Sequence, residues 1–584
     1  MKLVFKYLIP HWFSLLIGFV IKVSGTVAEL ALPYILSYML DEVVPANAAN
    51  ANLNPIWIWG GIMLLCAVAA LVLNIVANRM AARVARDAAQ AIRHDLFDKT
   101  MHLSARQTDR IGIPELETRL TSDTYNIHHF LGMIQRIGVR APILLIGGIV
   151  VSYFLDWQLA TVMVALLPFI GIAVFSISRK GVPLYSASQK AGDDMVRVVR
   201  EDIGGIRVIK ALSKKEYERE RFDGVNRALV KCEKRASLTM ALTNPLITIL
   251  LNVGLVSVVL VGAMLVDWDL SKPGRIIAFI QYFTLISNAM IVINRIFIMT
   301  TKCLASAGRI NTVMSAPAEL GADPAFDPAQ NPDCPAPAES GHIVFDHVSF
   351  SYVGEQNDLE DISFALQKGQ TLGVIGATGS GKSTLLHLLL RSYDADQGQI
   401  YIDGKNVRAM THDELCAHFG TAMQYDFLYA DTVRENICFG REISEQELVM
   451  AVRVAQAEEF ITAFPQGYEH MLTSKGTNVS GGQKQRLLIA RALAGKPEIL
   501  ILDDASSALD YKTDAALRRD LRMHFDGTTT VVVAQRVSSV MHADLILVLD
   551  EGRVIGQGKH EELLQSCPVY REIRDSQMGG ALLD

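Results

Sequence analysis

The chain has 584 residues, of which 50% are hydrophobic, and a formal net charge of −6 at pH 7. This length provides for two or more domains, and the high apolar content excludes an ordinary soluble protein. The negative net charge argues against nucleic acid as a partner. Seven scattered cysteines without a C-x-x-C pair indicate neither a disulfide framework nor a metal site.

Residues 1–315 contain six apolar segments, each near the roughly 20 residues that a bilayer-spanning helix requires. The first segment is longer than the apolar core of a signal peptide and lacks a clear cleavage site, so it is interpreted as a membrane helix. These residues are predicted to form a helical membrane domain. The predicted spans are residues 14–38, 57–80, 131–155, 157–178, 240–266 and 275–299.

Six spans place both ends of this domain on one side of the membrane. Basic side chains flank the helix ends on that side, whereas the opposite connection, residues 41–55, contains no Lys or Arg. The excess of basic residues predicts that this side is cytoplasmic. The flanking residues are Arg79, Arg83, Arg86, Arg93, Arg179, Lys180, Lys231, Lys234, Arg235, Lys302 and Arg309.

The helical pattern continues beyond the membrane. Residues 56–101 contain no proline, and at 1.5 Å per residue they would extend about 69 Å, whereas the hydrocarbon core is about 30 Å thick. Residues 79–99 and the charged region 179–234 are therefore predicted to form stalks. Turn-prone tips near residues 110–116 and 204–210 could transmit force to a soluble domain. The alternative is a pair of solvated charged helices with no mechanical role.

A proline-rich segment follows the membrane domain. Residues 315–341 include prolines at 317, 324, 328, 332, 335 and 337 and cannot bury a core, so residues 316–341 are predicted to be a linker. From residue 342 onward, short Val/Ile/Leu-rich segments alternate with helical patterns. Residues 342–584 are therefore predicted to form an α/β domain.

Residues 376–384, GATGSGKST, match the phosphate-binding loop pattern G-x-x-x-x-G-K-[ST]. An apolar strand, residues 371–375, precedes them, and an apolar helix follows. Such a loop points backbone N–H groups and a helix N-terminus at a polyphosphate. Lys382 would reach the β and γ phosphates, and Ser383 would bind Mg²⁺. The alternative is a chance glycine-rich turn, which so full a match makes improbable.

Residues 498–503, EILILD, predict a buried strand that ends in a carboxylate suited to a phosphate-bound Mg²⁺. Alone this pattern is weak, but residues 480–483, SGGQ, lie upstream, and residues 507–510, SALD, follow. With these motifs the chain resembles, over essentially its whole length, the exporter half-transporters of the ABC transporter superfamily. In these proteins six membrane helices are fused to one P-loop nucleotide-binding domain.

The resemblance implies ATP and Mg²⁺ as cofactors and a second subunit that shares the two nucleotide sites. Tyr352 would stack on adenine, and Gln424 would act as the Q-loop residue. The implied ATP-binding residues are Tyr352, Gly376, Thr378, Gly379, Ser380, Gly381, Lys382, Ser383, Thr384 and Gln424. The implied Mg²⁺ ligands are Ser383, Gln424 and Asp503. The implied signature acting on the partner's ATP is Ser480, Gly481, Gly482 and Gln483, and the D-loop is Ser507, Ala508, Leu509 and Asp510.

Two catalytic positions depart from the family pattern. Asp504 stands where hydrolytic subunits have a glutamate base, and Gln535 stands where they have the switch histidine. Residues 472–476 also lack the usual glutamate before the signature. Asp504 alone could retain slow activity, but both changes together favour an impaired site that resembles the degenerate subunit of a heterodimeric multidrug-type exporter.

Some ionisable residues within the predicted spans are candidates for a role in transport. Lys22 and Glu29 are seven positions apart on one helix face, and Arg295 lies in the sixth span. Ionisable groups inside a membrane are costly unless they are paired or line a wet cavity, so these residues are candidates for a substrate pathway. The alternative is a structural ion pair or side chains that reach to the interface. Nothing in the sequence names the substrate.

The sequence therefore predicts one subunit of an ATP-driven exporter in a plasma (inner) membrane, with both termini and the nucleotide-binding domain cytoplasmic. The predicted partner is a second half-transporter, and a heterodimer is favoured over a homodimer. The alternative is a homodimeric slow ATPase or an ATP-gated membrane protein of the same family. A soluble ABC-type ATPase is excluded by the six spans.

Overall fold

The structure is a computed structural model that describes residues 2–48, 53–317, 320–327, 331, 339–354, 356–424, 427–505 and 508–578. The chain divides into two units. The first comprises Met1–Thr100 with Pro114–Ser315, and the second comprises Met101–Ile113 with Ala316–Asp584. Of the predicted linker, only residues 316–317, 320–327, 331 and 339–341 are among those described.

The described part of the chain before the linker is helical. A 3₁₀ turn at Ile9–His11 and π-helical turns at Met39–Val43, Arg119–Asp123 and Ile134–Gly138 connect or interrupt the helices. The helices are α1 (Lys2–Leu8), α2 (Trp12–Tyr38), α3 (Val44–Ala48), α4 (Asn54–Met101), α5 (Ala105–Ile111), α6 (Ile113–Thr118), α7 (Thr124–Met133), α8 (Val139–Leu155), α9 (Trp157–Gly204), α10 (Ile206–Ala211), α11 (Lys215–Ala241), α12 (Thr243–Asp267) and α13 (Pro273–Met314).

Six helical stretches of the described residues are long and apolar enough to cross a membrane. At most 39% of the most apolar part of each stretch is buried within the protein, which leaves apolar surface for lipid. The predicted six-span helical fold is confirmed. Helices α4 and α9 contain 48 residues each, or about 72 Å, so the predicted extension beyond a bilayer is confirmed as well.

Apolar side chains of α8, α9, α12 and α13 form the core of the first unit. Phe279, Phe283 and Ile286 of α13 are fully or almost fully buried there against Leu159 and Met163 of α9. These contacts pack the sixth span against the fourth. The buried Tyr282 hydroxyl donates a hydrogen bond of 2.7 Å to the Leu30 carbonyl.

The second unit is an α/β fold with two sheets. A four-stranded antiparallel sheet has the order β2-β1-β4-β5, and a six-stranded sheet has the order β10-β9-β3-β8-β7-β6. The strands are β1 (Ile343–Phe350), β2 (Leu359–Leu366), β3 (Thr371–Gly376), β4 (Gln397–Ile402), β5 (Lys405–Asn406), β6 (Phe419–Ala422), β7 (Ile499–Asp503), β8 (Thr529–Val533), β9 (Leu545–Asp550) and β10 (Arg553–Gly558).

The described part of the chain after the linker also contains ten α-helices. They are α14 (Lys382–Leu389), α15 (His412–Ala417), α16 (Val433–Cys438), α17 (Glu445–Val454), α18 (Glu458–Ala463), α19 (Gly481–Leu493), α20 (Tyr511–His524), α21 (Val537–Val540), α22 (His560–Ser566) and α23 (Pro568–Met578). The continuous apolar run of β7 is buried along its whole length, as expected of a parallel strand covered on both faces. The predicted α/β fold is therefore confirmed.

The helix α5 belongs to the second unit although it lies among the membrane helices in sequence. Ser104 caps this helix, Ala105 packs against the core of the unit, and the Tyr393 hydroxyl donates a hydrogen bond to the Asp109 carboxylate. The helix ends at Gly112, which has a φ of 84°. The first predicted tip therefore begins in a segment that is held by the nucleotide-binding fold. At the second predicted tip, α9 ends and α10 begins.

Candidate nucleotide site

The parallel strands β3, β6, β7 and β8 bring four loops to one edge of the sheet. The phosphate-binding loop follows β3, Gln424 follows β6, Asp504 follows β7 and Gln535 follows β8. Carboxyl ends of parallel strands are where α/β folds build ligand sites. These loops line a cavity of about 700 Å³, so residues far apart in sequence meet at one place.

The glycines of the phosphate-binding loop are required by close contacts. A Cβ on Gly376 would lie 2.1 Å from the Leu549 carbonyl oxygen, and Gly381 has a φ of 100° directly before α14. A larger residue at either position would displace the backbone. The loop therefore presents its amides and the start of α14 to the cavity, as a polyphosphate requires.

Lys382 lies at the base of this loop. Its ammonium group donates hydrogen bonds to the carbonyls of Gly376 (2.9 Å) and Ala377 (2.6 Å). Burial lowers the pKa of Lys382, while the carboxylates of Asp503 and Asp504 act in the opposite direction. The cation is thus held inside the loop, next to the space that a phosphate would fill.

Three candidate Mg²⁺ ligands line the same cavity. Ser383 is the second residue of α14, Gln424 follows β6, and Asp503 ends β7 with only 5% of its surface exposed. Burial, followed by the neighbouring Asp504 carboxylate, raises the pKa of Asp503. A hard cation that prefers oxygen ligands would relieve this crowding of negative charge, so the three side chains fit Mg²⁺.

Asp504 and Gln535 contact each other at the edge of the cavity. Gln535 Nε2 donates a hydrogen bond of 3.4 Å to Asp504 Oδ2. Asp504 has a φ of 48°, and its N–H donates to the Val533 carbonyl at 2.8 Å, which fixes its backbone between β7 and β8. Burial raises the pKa of Asp504, whereas Arg536 and Lys382 lower it. The structure thus brings together the two positions at which the sequence departs from the family pattern.

Tyr352 lies beside the phosphate-binding helix, although it is not part of the cavity lining. Its ring makes edge contacts with Phe350 and Tyr393 at centroid distances of 4.9 and 5.1 Å. The side chain remains 37% exposed, so one face is available for stacking. Its N–H donates to the Asp358 carboxylate at 2.9 Å, which fixes the loop after β1.

The signature lies at the N-terminus of α19 and outside the cavity lining of its own chain. Ser480 and Gln483 form a capping box: the Gln483 N–H donates to Ser480 Oγ, and the Ser480 N–H donates to Gln483 Oε1 at 2.9 Å. A Cβ on Gly481 would meet nothing within 4 Å, whereas one on Gly482 would lie 3.1 Å from the Ala508 carbonyl. The helix terminus is therefore well formed and open at Gly481.

Of the predicted D-loop, Ser507 lies outside the described residues. Leu509 is buried against the helical core of the unit, and Asp510 caps α20 by accepting hydrogen bonds from the Thr513 N–H and hydroxyl at 2.9 Å. These bonds lower the pKa of Asp510. The residue therefore has a structural role whether or not it also contacts a partner.

Five cavity residues were not anticipated from the sequence. Gln356, Asn357 and Asp358 precede β2, and Glu551 and Gly552 form the turn between β9 and β10. The letters D-E-G at residues 550–552 indicate a turn but not a site. Another unanticipated residue, Gln577 of α23, donates to the Gln535 carbonyl at 2.8 Å and accepts from the Val537 N–H at 2.9 Å. It holds the loop after β8, residues 534–536, in place, and this loop is called the switch loop below.

The three predicted pathway residues do not form one cluster. Lys22 and Arg295 line a second cavity, which lies inside the first unit. Lys22 donates to the side-chain oxygens of Asn74 (2.8 Å) and Asn78 (3.0 Å). Glu29 instead pairs with Arg140.

Two family models match this chain. The model described as the ABC transporter transmembrane region matches residues 15–290, and the model described as ABC transporter matches residues 359–507. Together with relatives more than 30% identical over almost the whole length, they show that the chain belongs to the ABC transporter family. It is an exporter-type half-transporter in which a membrane domain is fused to an ATPase domain. Such a chain binds nucleotide, lies in a membrane and forms dimers.

An uncharacterised ABC transporter ATP-binding protein of Mycobacterium tuberculosis is 34% identical over 95% of this chain and 94% of its own length. An uncharacterised ABC transporter ATP-binding protein of Bacillus subtilis is 31% identical over 99% of both chains. A multidrug efflux ATP-binding/permease protein of M. tuberculosis is 30% identical over 97% of this chain and 46% of its own length.

Among solved structures, a bacterial Atm1-family ABC exporter with ATP bound has the same fold. The TM-score is 0.78 at 24% sequence identity, and the match covers 97% of this chain and 98% of that chain.

Proposed function

We propose that this chain is one subunit of a heterodimeric, ATP-driven exporter. In this proposal its own site binds ATP but hydrolyses it slowly, and its signature completes the faster site of a partner. The protein would lie in the plasma (inner) membrane with both termini and the nucleotide unit in the cytoplasm. Transport would proceed by alternating access as the two nucleotide domains close and separate.

In this proposal the residues that line the cavity bind the nucleotide. The loop amides and Lys382 would hold the β and γ phosphates, and Tyr352 would stack on adenine. Ser383, Gln424 and Asp503 would hold Mg²⁺, which supplies positive charge against the transferring phosphoryl group. We therefore expect tight binding of ATP at this site.

The observation that carries the proposal is the hydrogen bond from Gln535 to Asp504. An aspartate is shorter than a glutamate by one C–C bond, about 1.5 Å. A catalytic base must lie within about 2.6–3.2 Å of the proton that it takes, directly or through one water. The Asp504 N–H donates a hydrogen bond to the Val533 carbonyl. This bond fixes the backbone, so the backbone does not move towards the phosphate to make up for the shorter side chain. Gln535 is always neutral, so it cannot offer the charge or the proton exchange of a histidine.

The signature supports action on a partner's nucleotide. Its capping box is complete and Gly481 is open, yet none of its four residues lines the cavity of this chain. A homodimer would combine two impaired sites with two well-formed signatures. A partner with a glutamate and a histidine at the two catalytic positions would use this signature fully.

The cargo pathway is proposed to involve Lys22 and Arg295, which line one cavity, and Glu29, which pairs with Arg140 beside it. Hydrophobic or drug-like compounds are the cargo expected by analogy with multidrug exporters, and one relative carries the name multidrug efflux protein.

The proposal is tested by co-purification of this chain with the product of its neighbouring gene. We expect the pair to hydrolyse ATP at least about tenfold faster than this chain alone, since general-base catalysis contributes about a hundredfold or more. A stable homodimer of this chain with transport-coupled ATPase activity equal to that of the pair would contradict the proposal. That result would favour a homodimeric ATPase of the same family.

A further inference from the structure

The first unit contains a cavity of about 750 Å³ between α2, α4, α7, α8 and α13. This volume lies within the roughly 300–1,000 Å³ range of small-molecule sites. The basic residues among its described lining are Lys22, Arg136, Arg140 and Arg295.

The charge of this lining is strongly one-sided. Four of the described lining residues are Lys or Arg, and no Asp or Glu is among them. Glu29 lies beside the cavity and neutralises Arg140 through two hydrogen bonds. Within the described part of the chain, three positive charges remain without a carboxylate partner, which a membrane protein does not maintain at low cost.

The unpaired cations are held by neutral groups. Lys22 is 4% exposed and donates to the amide oxygens of Asn74 and Asn78. Arg136 donates to the Gly132 carbonyl of its own helix at 2.7 Å. Arg295 is exposed and makes no hydrogen bond or ion pair within the described part of the chain. A structural ion-pair network would need carboxylates at these places.

The helices α13 and α8 and the turn before α8 place their polar and basic side chains in the lining of this one cavity. Asn288, Val292, Arg295 and Met299 recur at helical spacing on one face of α13. Arg136 lies in the π-helical turn Ile134–Gly138, between α7 and α8. Such turns commonly occur at functional positions.

Apolar residues outnumber the charged residues among the described lining. Met133, Ile137, Leu144, Leu285 and Val292 contribute methyl and thioether groups. A fully hydrated inorganic anion would gain nothing from them. A molecule with an anionic group and an apolar body would satisfy both kinds of contact.

We propose that this cavity binds amphipathic organic anions and that such anions are the exporter's cargo. This inference rests on the proposed transport function and replaces the general expectation of hydrophobic cargo with a charge class. The anionic group is a carboxylate, sulfonate or phosphate, on either a free solute or a lipid headgroup.

The cavity lies towards one end of the spans. Counting 1.5 Å per residue, Lys22 is about 15 Å from Trp12, and Arg295 is about 33 Å from Pro273. Both are on the side from which α2 enters, which the proposed topology makes cytoplasmic. An anion would therefore enter from the cytoplasmic side or the inner leaflet.

The test measures binding of two dyes with the same ring system to the full chain, with its partner where the two co-purify. The anionic dye is carboxyfluorescein, and the cationic dye is rhodamine 123, whose carboxyl group is a methyl ester. The complex is placed in phosphatidylcholine nanodiscs without ATP, and binding is followed by fluorescence anisotropy with empty nanodiscs as the blank. We expect carboxyfluorescein to bind at least about tenfold more tightly, since complementary charge selects one partner over the other.

Variants locate the binding. Arg295→Gln and Arg136→Gln should each weaken carboxyfluorescein binding about fivefold, the loss of one charge-assisted contact, and Arg295→Lys should restore most of it. The matched control is Arg79→Gln, which removes an exposed cation of α4 next to Asn78 but outside the lining. Equal binding of the two dyes, or an equal loss in the Arg79→Gln variant, would overturn the proposal.

Phosphatidylglycerol in the nanodiscs distinguishes the two sources of the anion. Weaker apparent binding of carboxyfluorescein in its presence assigns the site to a lipid headgroup, and unchanged binding assigns it to a free solute. ATP hydrolysis is measured separately. Dye binding without ATP hydrolysis would contradict the proposed function alone, whereas ATP hydrolysis without charge preference would contradict the anion site alone.

Discussion

Two cavities of the described part of this protein have similar volumes, about 700 and 750 Å³, but opposite linings. The nucleotide cavity combines one ammonium group, Lys382, with the carboxylates of Asp358, Asp503, Asp504 and Glu551. The membrane cavity has four cationic side chains, and the described part of its lining contains no carboxylate. Both suit an anionic ligand, but by different means.

The difference follows from how each cavity would balance charge. A phosphate chain in the nucleotide cavity is met by backbone amides, by Lys382 and by a metal ion, and the metal ion requires acidic ligands. The membrane cavity has no acidic ligand for a metal among its described residues, so its side chains must meet an anion directly. The first arrangement prepares a reaction, whereas the second can only bind and release.

The largest expected effect tests whether the nucleotide cavity is sufficient for catalysis by itself. Gly481→Asp adds a carboxylate at the open start of α19, where a Cβ meets nothing within 4 Å in this chain. If the signature faces the partner's γ-phosphate, repulsion should reduce ATPase activity of the complex about a hundredfold, as does the loss of a key electrostatic contact. Steady-state phosphate release measures this effect.

The matched control for this prediction is Asp504→Asn, which removes the impaired base of this chain's own cavity and should reduce ATPase activity less than about twofold. Gly482→Asp and Ser480→Arg should also abolish most activity, but each also disturbs a contact within this chain. The first crowds the Ala508 carbonyl, and the second removes a helix cap. If the Gly481→Asp complex hydrolysed ATP at the normal rate, the signature would take no part in catalysis.

A second change sharpens the distinction between binding and reaction inside the nucleotide cavity. Asp504→Glu with Gln535→His should raise hydrolysis at this site about tenfold or more, because a positioned base contributes about a hundredfold or more in favourable cases. The double variant should exceed the product of the two single effects, since the residues contact each other and act as a unit. Single-turnover ATPase assays measure the rate of each variant. No increase in rate, or an increase equal to the product of the two single effects, would contradict the proposal that the two residues together impair this site.

A third, smaller effect concerns the route from the nucleotide cavity to α5. The Tyr352 ring contacts Tyr393, and the Tyr393 hydroxyl donates to Asp109. Asp109→Asn keeps the shape of the side chain and weakens this bond, so we expect transport per ATP hydrolysed to fall about threefold. ATP affinity should not change. Vesicle uptake measured together with ATPase activity gives the ratio.

Charge reversal at Glu115 or a proline inserted near Ile209 should uncouple in the same direction. Tyr393→Phe is the control that removes the hydroxyl from the other side of the contact. Wild-type coupling in all these variants would show that the tip segments carry no part of the mechanism.

The smallest expected effect is a pH-dependent change in stability outside both cavities. His347 Nδ1 lies 2.6 Å from Asp361 Oδ1, and this hydrogen bond raises the pKa of His347 above its ordinary value of 6.5. The stabilisation is fully present below pH 6.5 and is lost as pH rises through the raised pKa. Asp361→Asn should therefore lower the thermal unfolding midpoint slightly at pH 6 and not at pH 9. An equal change at both values would exclude the titration of His347.

The nucleotide cavity could be predicted from the sequence because a polyphosphate is held by consecutive residues. Lys382 and Ser383 are adjacent in one motif, and Asp503 ends a run of apolar residues that predicts a buried strand. Gln577 could not be predicted, because its contact with the switch loop depends on how the last helix packs. Apart from Lys22 and Arg295, the lining of the membrane cavity was also not predicted from the sequence. Arg136 and Arg140 lie inside the predicted span 131–155, five and nine residues from its predicted cytoplasmic start, and basic residues near that end are expected for topology alone.

The direct test of a binding site on this chain and a reacting site on its partner is photolabelling with radioactive 8-azido-ATP. Without turnover, both chains of the purified complex should be labelled to a similar extent, because both bind ATP. After turnover in the presence of vanadate, which traps the product at the hydrolysing site, the account predicts at least about tenfold more label on the partner. Equal trapping of label on both chains would contradict it.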